Sequence, residues 1–388
     1  VGSEMCIRDR RIEYGMKQQF TLMIKNAQGS GRNLQVCAPW DGAEIAQVPY
    51  ASENDIEQAL TTAYQIFKQR QRWLNKPERI QILEKTAELM QAQAESLAIE
   101  AAHEGGKPLI DSRVEVARAI DGVKNCIEVL RSEAGCEIPM GLNAASTQRL
   151  AFTRKEPIGV VVAVSAFNHP LNLIVHQVGP AIAAGCPVIV KPAEDTPLSC
   201  MRFVNLLREA GLPEEYCQAC VVEDLALAEK LVCDPRVAFL SFIGSARVGW
   251  LLRSRLAPGA RCALEHGGVA PVIIEQSADL ADTLPLIAKG GFYHAGQVCV
   301  SVQRVFAPRA LAAEVAQRLA ALGEAMKIGD PTSPDTDVGP LIRPREVARV
   351  SQWIQQAVDQ GAETVCGGYS PSDTSYACTV LLLSLIHI

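Results

Sequence analysis

The chain lacks three features, and each absence excludes a class of protein. No run of about eighteen apolar residues is present, which is the minimum a helix needs to cross a bilayer, so we expect no integral membrane protein. The N-terminal region has no basic, apolar and small-residue succession typical of a secretory signal. Basic residues are not in excess, with 37 Lys and Arg against 43 Asp and Glu, and no basic stripe alternates with aromatics. We therefore expect small-molecule partners, with no nucleic acid and no membrane.

Cysteine is plentiful but has no regular spacing, with 13 residues scattered along the chain. This pattern does not predict a disulfide framework and favours a reducing cytoplasm. Cys217 and Cys220 have the Cys-x-x-Cys form, but no second pair or histidine cluster completes a zinc site. His103, His169 and His176 also lack metal-ligand spacing. We predict no bound metal.

The length of 388 residues predicts at least two domains, because single hydrophobic cores stop growing at about 250–300 residues. A hydrophobic content of 48% with 21% charged residues is typical of a well-packed globular protein. The two ends, residues 1–11 and 381–388, show no clear connection to their neighbours, and we expect them to be non-native. The C-terminal part of the fold is then expected to be missing.

The first part of the chain predicts a β-hairpin followed by helices. Turn residues separate short apolar runs over residues 33–50, and Ser52 then precedes a helical pattern as an N-cap. Two longer helices are predicted at residues 77–103 and 113–134, separated by Gly105 and its neighbours. Residues 136–156 predict an exposed β-hairpin, and an unpaired hairpin of that kind favours an oligomer contact.

Strands and helices then alternate, which predicts a doubly wound α/β fold whose ligands bind at the carboxyl ends of parallel strands. The first strand, Gly159–Ser165, is an uninterrupted β-branched run of the kind that is buried on both faces. A further strand and a helix ending near Lys289 lead to Cys299. The other predicted strands of the sheet are Pro187–Lys191, Cys220–Val222, Val237–Phe242 and Ala263–Glu265.

Cys299 is the first candidate for chemistry, because it lies on a glycine-flanked turn. A thiol is a good nucleophile only as the thiolate, so a nucleophilic cysteine needs a site that favours that form. A lone cysteine can equally be a small buried hydrophobe. Asn168, at the end of the first strand, can donate its side-chain NH₂ to an oxyanion, although Asn-x-Pro is also an ordinary turn.

Three further segments follow strands and carry polar groups. Lys191 and Glu194 can both reach sugar hydroxyls, or they can simply be a solvated strand end. Ser245 opens a predicted helix whose N-terminus can bind a diphosphate, although the surrounding glycines do not match the dinucleotide-binding fingerprint. Glu265, beside two glycines, can act as a general base towards water if its surroundings allow it.

Taken together, these segments resemble the aldehyde dehydrogenase superfamily over about residues 33–341. The resemblance implies a doubly wound parallel-sheet dinucleotide-binding domain at 20–135 and 157–267, an α/β catalytic domain at 268–378 that is incomplete, and a protruding β-hairpin oligomerisation arm at 136–156. The segments that carry it are PIGVVVAVSAFNHP, VIVKPAE, FIGSARVG, LEHGG and GQVC.

The resemblance also implies roles for individual residues. Cys299 is the implied nucleophile, Glu265 the base and Asn168 the oxyanion donor. His266 stands where the family usually has leucine. The implied cofactor contacts are Ser165, Ala166, Phe167, Lys191, Pro192, Ala193, Glu194, Gly244, Ser245, Gly249, His266 and Gly267.

The implied reaction is the oxidation of a small aldehyde to the carboxylic acid. NAD is the expected cofactor, with NADP possible, because the Glu194 carboxylate repels a 2′-phosphate. The resemblance further implies a homodimer or homotetramer. Three alternatives stay open: a CoA-acylating semialdehyde dehydrogenase, a cysteine hydrolase that pairs Cys299 with His294, and an inactive truncated fragment.

Overall fold

A computed structural model describes residues 18–383. The expected non-native segment 1–11 lies outside these residues, as do 384–388, whereas Val380–Leu382 form a strand paired with Glu363–Cys366. The first part of the chain contains a three-stranded sheet and four helices. These elements are β1 (Gln18–Gln19), β2 (Asn33–Cys37), β3 (Glu44–Pro49), α1 (Glu53–Lys68), α2 (Lys76–Ala92), α3 (Ala94–Gly105) and α4 (Leu109–Ser132), with a 3₁₀ turn at Arg70–Arg72.

Local sequence signals explain this part well. The predicted hairpin at 33–50 is confirmed by antiparallel pairing of β2 with β3. Ser52 caps α1 through a reciprocal capping box with Asp55, as its spacing predicts. The helix predicted at 77–103 is instead two helices, which meet at Gln93.

The exposed hairpin predicted at 136–156 is present. It pairs β4 (Glu137–Ile138) with β5 (Ala151–Phe152), and each strand has only two residues. Leu142, Leu150 and Phe152 are 84%, 77% and 72% exposed. Apolar side chains this exposed typically mark a contact surface, so the oligomerisation role of this hairpin stays a prediction.

The centre of the molecule is a five-stranded parallel sheet with strand order β10-β9-β6-β7-β8. Helices cover both of its faces, so the predicted doubly wound fold is confirmed. The elements are β6 (Val160–Val164), α5 (Asn172–Ala183), β7 (Val188–Lys191), α6 (Leu198–Glu209), β8 (Cys217–Ala219), α7 (Leu225–Cys233), β9 (Val237–Gly244), α8 (Ala246–Arg255) and β10 (Arg261–His266).

The β-branched run of β6 shows how the sheet is built. Val161 and Ala163 belong to a core shared with α2–α6, whereas Val160 and Val162 belong to a second core shared with α1, α7 and α8. Successive side chains of a strand point to opposite faces, so a strand buried on both sides must be apolar throughout. This explains why β6 shows no polar alternation.

One predicted strand is wrong. The strand expected at Cys220–Val222 lies three residues earlier, at Cys217–Ala219. Cys220–Val222 are buried, and Cys220 N still donates to Val190 O of β7, but the regular pairing ends at Ala219 and Val221 forms an isolated bridge with Tyr50. A short apolar run is buried equally well in a strand or in the segment that follows it, so apolar character alone misplaced the strand.

The last part of the chain contains a second, smaller set of elements around its own core. Ile274, Leu284, Ile287, Val315 and Leu319 form the centre of this core. The elements are β11 (Pro271–Ile273), α9 (Leu280–Phe292), a 3₁₀ turn (Tyr293–Gly296), β12 (Arg304–Phe306), α10 (Arg309–Glu324), α11 (Pro344–Asp359), β13 (Glu363–Cys366) and β14 (Val380–Leu382).

Residues 18–383 lack two features that would indicate other classes of protein. None of the helices there has the length and apolar character needed to cross a membrane. No cluster of three or more His, Cys, Asp or Glu side chains in these residues is arranged to hold a metal ion.

Candidate active site

The candidate site lies at the carboxyl edge of the central sheet. Val164 in β6 stands opposite both Lys191 in β7 and Phe242 in β9, and His266 in β10 stands opposite Gly244 in β9. Neighbouring parallel strands therefore end at the same level. The loops that follow them, which carry most of the residues implicated by sequence, are brought to one edge by this register.

Asn168 lies in the loop after β6 and bonds to the turn that carries Cys299. Its side-chain Nδ2 donates to the backbone oxygen of Gln297 at 2.9 Å, and Gln297 is two residues before Cys299. Its Oδ1 is buried without a hydrogen-bond partner in residues 18–383. One amide N–H therefore fixes the side chain against the turn, and the other is available to a ligand.

Cys299 is exposed and follows an unusual turn. His294 and Ala295 both have left-handed backbone angles, with φ of 50° and 54°. The segment that follows β10 lies beside the Cys299 segment, since a Cβ at Gly268 would lie 3.6 Å from the Cys299 carbonyl oxygen. Gln303 N donates to Val269 O at 3.3 Å. The structure therefore brings the segment with Glu265, which is itself exposed, beside the segment with Cys299.

His294 does not have the surroundings of a catalytic partner for Cys299. Its side chain is completely buried, and neither ring nitrogen has a hydrogen-bond partner among the described residues. Its ring packs at 6.4 Å from that of Phe167. Burial, helped by the charge of Lys107, lowers the pKa of His294 well below its usual value, so the ring stays neutral. The Cys–His hydrolase alternative has no support in this geometry.

A polar strip follows β6 and β7. Lys191 Nζ lies 3.6 Å from Glu194 Oε1, and both side chains are partly exposed. Ser165 N donates to Lys191 O, which joins the two strand ends. The Ser165 hydroxyl is buried without a partner in the described part of the chain. A buried hydroxyl of this kind is satisfied when a ligand or water occupies the site.

The predicted diphosphate segment follows β9. Ser245 is the N-cap of α8 and accepts from Val248 N through its hydroxyl at 3.4 Å. A Cβ at Gly249 would lie 2.4 Å from His266 Cε1 and 3.0 Å from Phe242 Cε1. Glycine at this position is therefore required by the protein's own packing, and diphosphate binding stays a prediction.

His266 fills the space beside this helix. Its ring lies between Phe242 and Trp250, with ring centroids 6.3 Å and 5.9 Å away. Both ring nitrogens are buried without partners in residues 18–383. The leucine-to-histidine difference from the family pattern thus places an aromatic ring in an apolar position.

Gln297 and the Lys107–Glu115 ion pair hold the site residues in place, and the sequence predicts no role for either. Gln297 links the turn to a distant segment, since its Nε2 donates to Pro340 O at 3.2 Å and its Oε1 accepts from Ile342 N at 2.9 Å. Lys107 and Glu115 form a buried ion pair behind Asn168. The only sequence signals are the position of Gln297 two residues before Cys299 and that of Lys107 in the break between two helices.

The family model for the "Aldehyde dehydrogenase family" matches residues 25–384. The chain belongs to the aldehyde dehydrogenase family. It is 34% identical over 352 residues to a 3-sulfolactaldehyde dehydrogenase of Priestia aryabhattai, a match that covers 90% of this chain and 73% of that protein.

Solved structures agree with this assignment. An NAD-dependent aldehyde dehydrogenase of Sinorhizobium meliloti has a TM-score of 0.89 at 28% identity, covering 96% of this chain and 75% of that one. A glyceraldehyde-3-phosphate dehydrogenase of Methanocaldococcus jannaschii, complexed with NADP, has a TM-score of 0.85 at 31% identity, covering 90% of this chain and 76% of that one.

This aldehyde dehydrogenase is accordingly an oxidoreductase that uses NAD or NADP. The residues at the sheet edge fit such a dinucleotide. Three adjacent parallel strands end at the Ser165 hydroxyl, which has no partner among the described residues, at the Lys191–Glu194 pair and at the N-terminus of α8. That edge is where doubly wound sheets bind nucleotides.

Proposed function

We propose that this aldehyde dehydrogenase oxidises a small polar aldehyde to its carboxylic acid through a covalent intermediate on Cys299. The observation that carries this proposal is the bond from Asn168 Nδ2 to the backbone just before Cys299. That bond ties the Asn168 side chain to the turn that carries the exposed Cys299, and it leaves the second amide N–H of Asn168 for the carbonyl oxygen of a bound aldehyde. A nucleophile and an oxyanion donor are the two groups that the first step needs.

In the first step, the Cys299 thiolate attacks the aldehyde carbon to give a thiohemiacetal. Asn168 and the backbone N–H of Cys299 stabilise the oxyanion that forms. When bound, NAD(P) supplies the hydride acceptor. Loss of hydride from the thiohemiacetal carbon leaves the acyl group on Cys299 as a thioester. Water can hydrolyse this thioester in a second step.

Glu265 releases the acid in the second step. Its carboxylate takes a proton from a water molecule that attacks the thioester carbonyl, and the Cys299 thiolate leaves. The proposal is supported by the position of the Glu265 segment beside the Cys299 segment and by the exposure of both side chains, which admits water. Glu265 also argues against the CoA-acylating alternative, in which CoA replaces water.

The proposed contacts with NAD(P) lie at the carboxyl edge of the central sheet. Lys191 and Glu194 bind the adenosine ribose, while Ser245 and the N-terminus of α8 bind the diphosphate. Ala166, Phe167, Pro192, Ala193 and Gly267 contribute backbone contacts at the same edge. Gly244, Gly249 and His266 shape the wall against which the diphosphate lies.

The substrate is proposed to be a small hydroxylated or anionic aldehyde, such as lactaldehyde. Support comes from the similarity to a protein named for 3-sulfolactaldehyde. We also propose a division into a dinucleotide-binding part (20–135 and 157–267), the hairpin arm (136–156) and a catalytic part (268–378). The buried residues of the cores support it, since those of the first two cores lie within residues 24–252 and those of the third within residues 274–319.

Two further properties are proposed on structural grounds. The exposed apolar residues of the hairpin arm support a homodimer or homotetramer. The described cysteines are all free thiols, several of them buried, which supports a reducing cytoplasmic location.

The test is a panel of small aldehydes, with formation of reduced nicotinamide measured for the unmodified chain and for Cys299→Ala. We expect turnover with NAD or NADP in the unmodified chain and none in the variant. Turnover that persists in Cys299→Ala would reject the proposal. A rate that depends on added CoA would select the acylating alternative, and no turnover with any aldehyde would select the inactive-fragment alternative.

A further inference from the structure

The break between α3 and α4 lies directly behind the Asn168 loop. Lys107, in this break, is completely buried, and its Nζ forms an ion pair with Glu115 of α4. The same Nζ donates to the backbone oxygen of Asn168 at 3.2 Å. A single ammonium group therefore connects a buried carboxylate to the backbone of the proposed oxyanion donor.

Glu115 holds the other end of the same segment. Its Oε2 is paired with Lys107, and its Oε1 accepts from Leu171 N at 3.0 Å and from Asn172 N at 2.9 Å. These are the amides at the start of α5, where a carboxylate is favoured by the helix dipole. The ion pair thus fixes both the beginning and the end of the segment from Asn168 to Asn172.

Stability alone is a weak reason for this arrangement. Removing two charges from water costs as much as their attraction returns, so a buried pair is often no more stabilising than apolar side chains of the same volume. The burial lowers the pKa of Lys107. The pair instead fixes the orientation of the groups it bonds to, because a buried charge with few partners is satisfied in only one geometry.

Asn168 needs such a constraint. Only one bond of its side chain is made within the described residues, the one to Gln297 O. The direction of its free N–H therefore depends on where its backbone is held. A shift of about 1 Å in a positioned group can cost roughly a hundredfold in rate.

The same helix also reaches the cysteine side of the site. Asp111, one turn before Glu115 on α4, pairs with Lys289 of α9 at 2.7 Å. Tyr293, which follows α9, has its hydroxyl 3.3 Å from His169 Nε2. The helix α4 therefore supports both the Asn168 loop and the helix that precedes the Cys299 turn.

We propose that Lys107 and Glu115 are positioning residues that set the direction of the Asn168 amide relative to Cys299. This inference rests on the proposed function of Asn168. It assigns a role in the reaction to Lys107, whose place after the end of α3 indicates by sequence alone only the end of a helix.

The test is a double-mutant comparison in the full chain. Lys107→Met and Glu115→Gln are made in the unmodified protein and again with Asn168→Ala, and kcat, the KM for NAD(P) and Tm are measured. We expect each variant to lower kcat about tenfold or more in the unmodified protein, with a nearly unchanged KM for NAD(P). In the Asn168→Ala background the same changes should lower kcat less than about twofold.

Glu104→Gln is the matched control. Glu104 is equally buried, and its carboxylate accepts from Leu198 N and Ser199 N at the start of α6, whereas that of Glu115 accepts from the segment that follows Asn168. We expect it to lower Tm while kcat stays unchanged. Should Lys107→Met not fold, Glu115→Gln still provides the comparison, since an amide oxygen can keep the bonds to Leu171 and Asn172.

The outcomes separate the two proposals. Losses from Lys107→Met and Glu115→Gln that multiply with the loss from Asn168→Ala, or no loss of kcat at all, would overturn the positioning role while leaving the proposed function intact. An Asn168→Ala variant that keeps full kcat would overturn the proposed function of Asn168 and the positioning role with it.

Discussion

Asn168 Nδ2 lies 2.9 Å from the backbone oxygen of Gln297, so the loop after β6 is bonded to the turn that carries Cys299. The loop lies between Val164 and Leu171, which pack in the cores of the central sheet, and the turn lies between Phe292 and Val302, which pack in the core of the last part of the chain. The bond therefore does more than fix one side chain: it sets the distance between the proposed oxyanion donor and the proposed nucleophile.

Replacing Asn168 with alanine should lower kcat by about 10²–10³, the usual cost of losing one oxyanion donor. The measurement is the steady-state rate of reduced nicotinamide formation. Asn125→Ala, on the exposed side of α4, is the control and should keep the full rate. An Asn168→Ala enzyme within twofold of the unmodified rate would contradict the role of this amide.

Glu194→Gln should shift the cofactor preference towards NADP. The Glu194 carboxylate lies 3.6 Å from Lys191 Nζ, and removing its charge both ends repulsion of a 2′-phosphate and leaves the lysine free to bind it. We expect the ratio of kcat/KM for NADP to that for NAD to rise about tenfold or more. Glu88→Gln, on an exposed face of α2, should leave the ratio unchanged. If Glu194→Gln leaves the NADP to NAD ratio of kcat/KM unchanged, the adenosine ribose does not bind at Glu194.

Gly249→Ala should destabilise the protein through contact with His266. The new Cβ would collide with His266 Cε1 and would lie 3.0 Å from Phe242 Cε1, so both rings would have to shift to accommodate it. Overpacking of this kind costs about 1–3 kcal/mol of unfolding free energy, which urea denaturation measures.

Adding His266→Ala to that variant should recover part of the loss. Gly267→Ala is the control, because nothing lies within 4 Å of a Cβ there. Equal losses from Gly249→Ala and Gly267→Ala would show that the contact with His266 is not the cause.

His169 should make the protein less stable in acid. Burial, with a smaller contribution from the charge of Lys107, lowers the pKa of His169 to about 4, against 6.5 for a free side chain. Between these values the unfolded chain binds a proton that the folded chain does not. The neutral ring therefore supports folding above pH 6.5, and this support is lost as the pH falls towards 4.

The effect amounts to at most about 3 kcal/mol for this residue. His169→Gln should flatten the dependence of the unfolding free energy on pH over that interval. An equally steep dependence in His169→Gln would mean that other groups, such as His294, dominate the acid response.

The sequence predicts the central sheet well because β-branched runs such as Val160–Val164 have few alternatives once they are buried on both faces. It predicts the Ser52 cap for a similar reason, since that signal is complete within four residues. A short apolar run fits a strand or the segment after it equally well, which is why the sequence misplaces the strand at Cys217–Ala219. The junction of α2 and α3 at Gln93 contains no glycine or proline, so the sequence predicts a single helix there.

The resemblance predicts the site residues, but it does not predict the residues that hold them in place. Lys107 and Glu115 are eight positions apart from each other and far from Asn168 in the sequence, and a buried ion pair has no local signature. The packing of His266 against Gly249 depends on two elements that meet only in the fold. Contacts of this kind join segments that are distant in the sequence, so no local sequence pattern predicts them.

The most direct test of the central claim is intact-protein mass spectrometry of Glu265→Gln mixed with aldehyde and NAD(P). Without its base, this enzyme should form the thioester on Cys299 and hydrolyse it slowly, so the mass should rise by one acyl group. The same addition should be absent in the Cys299→Ala, Glu265→Gln double variant. If Glu265→Gln turns over at the full rate with no mass increase, the proposed cooperation of Cys299, Glu265 and Asn168 is contradicted.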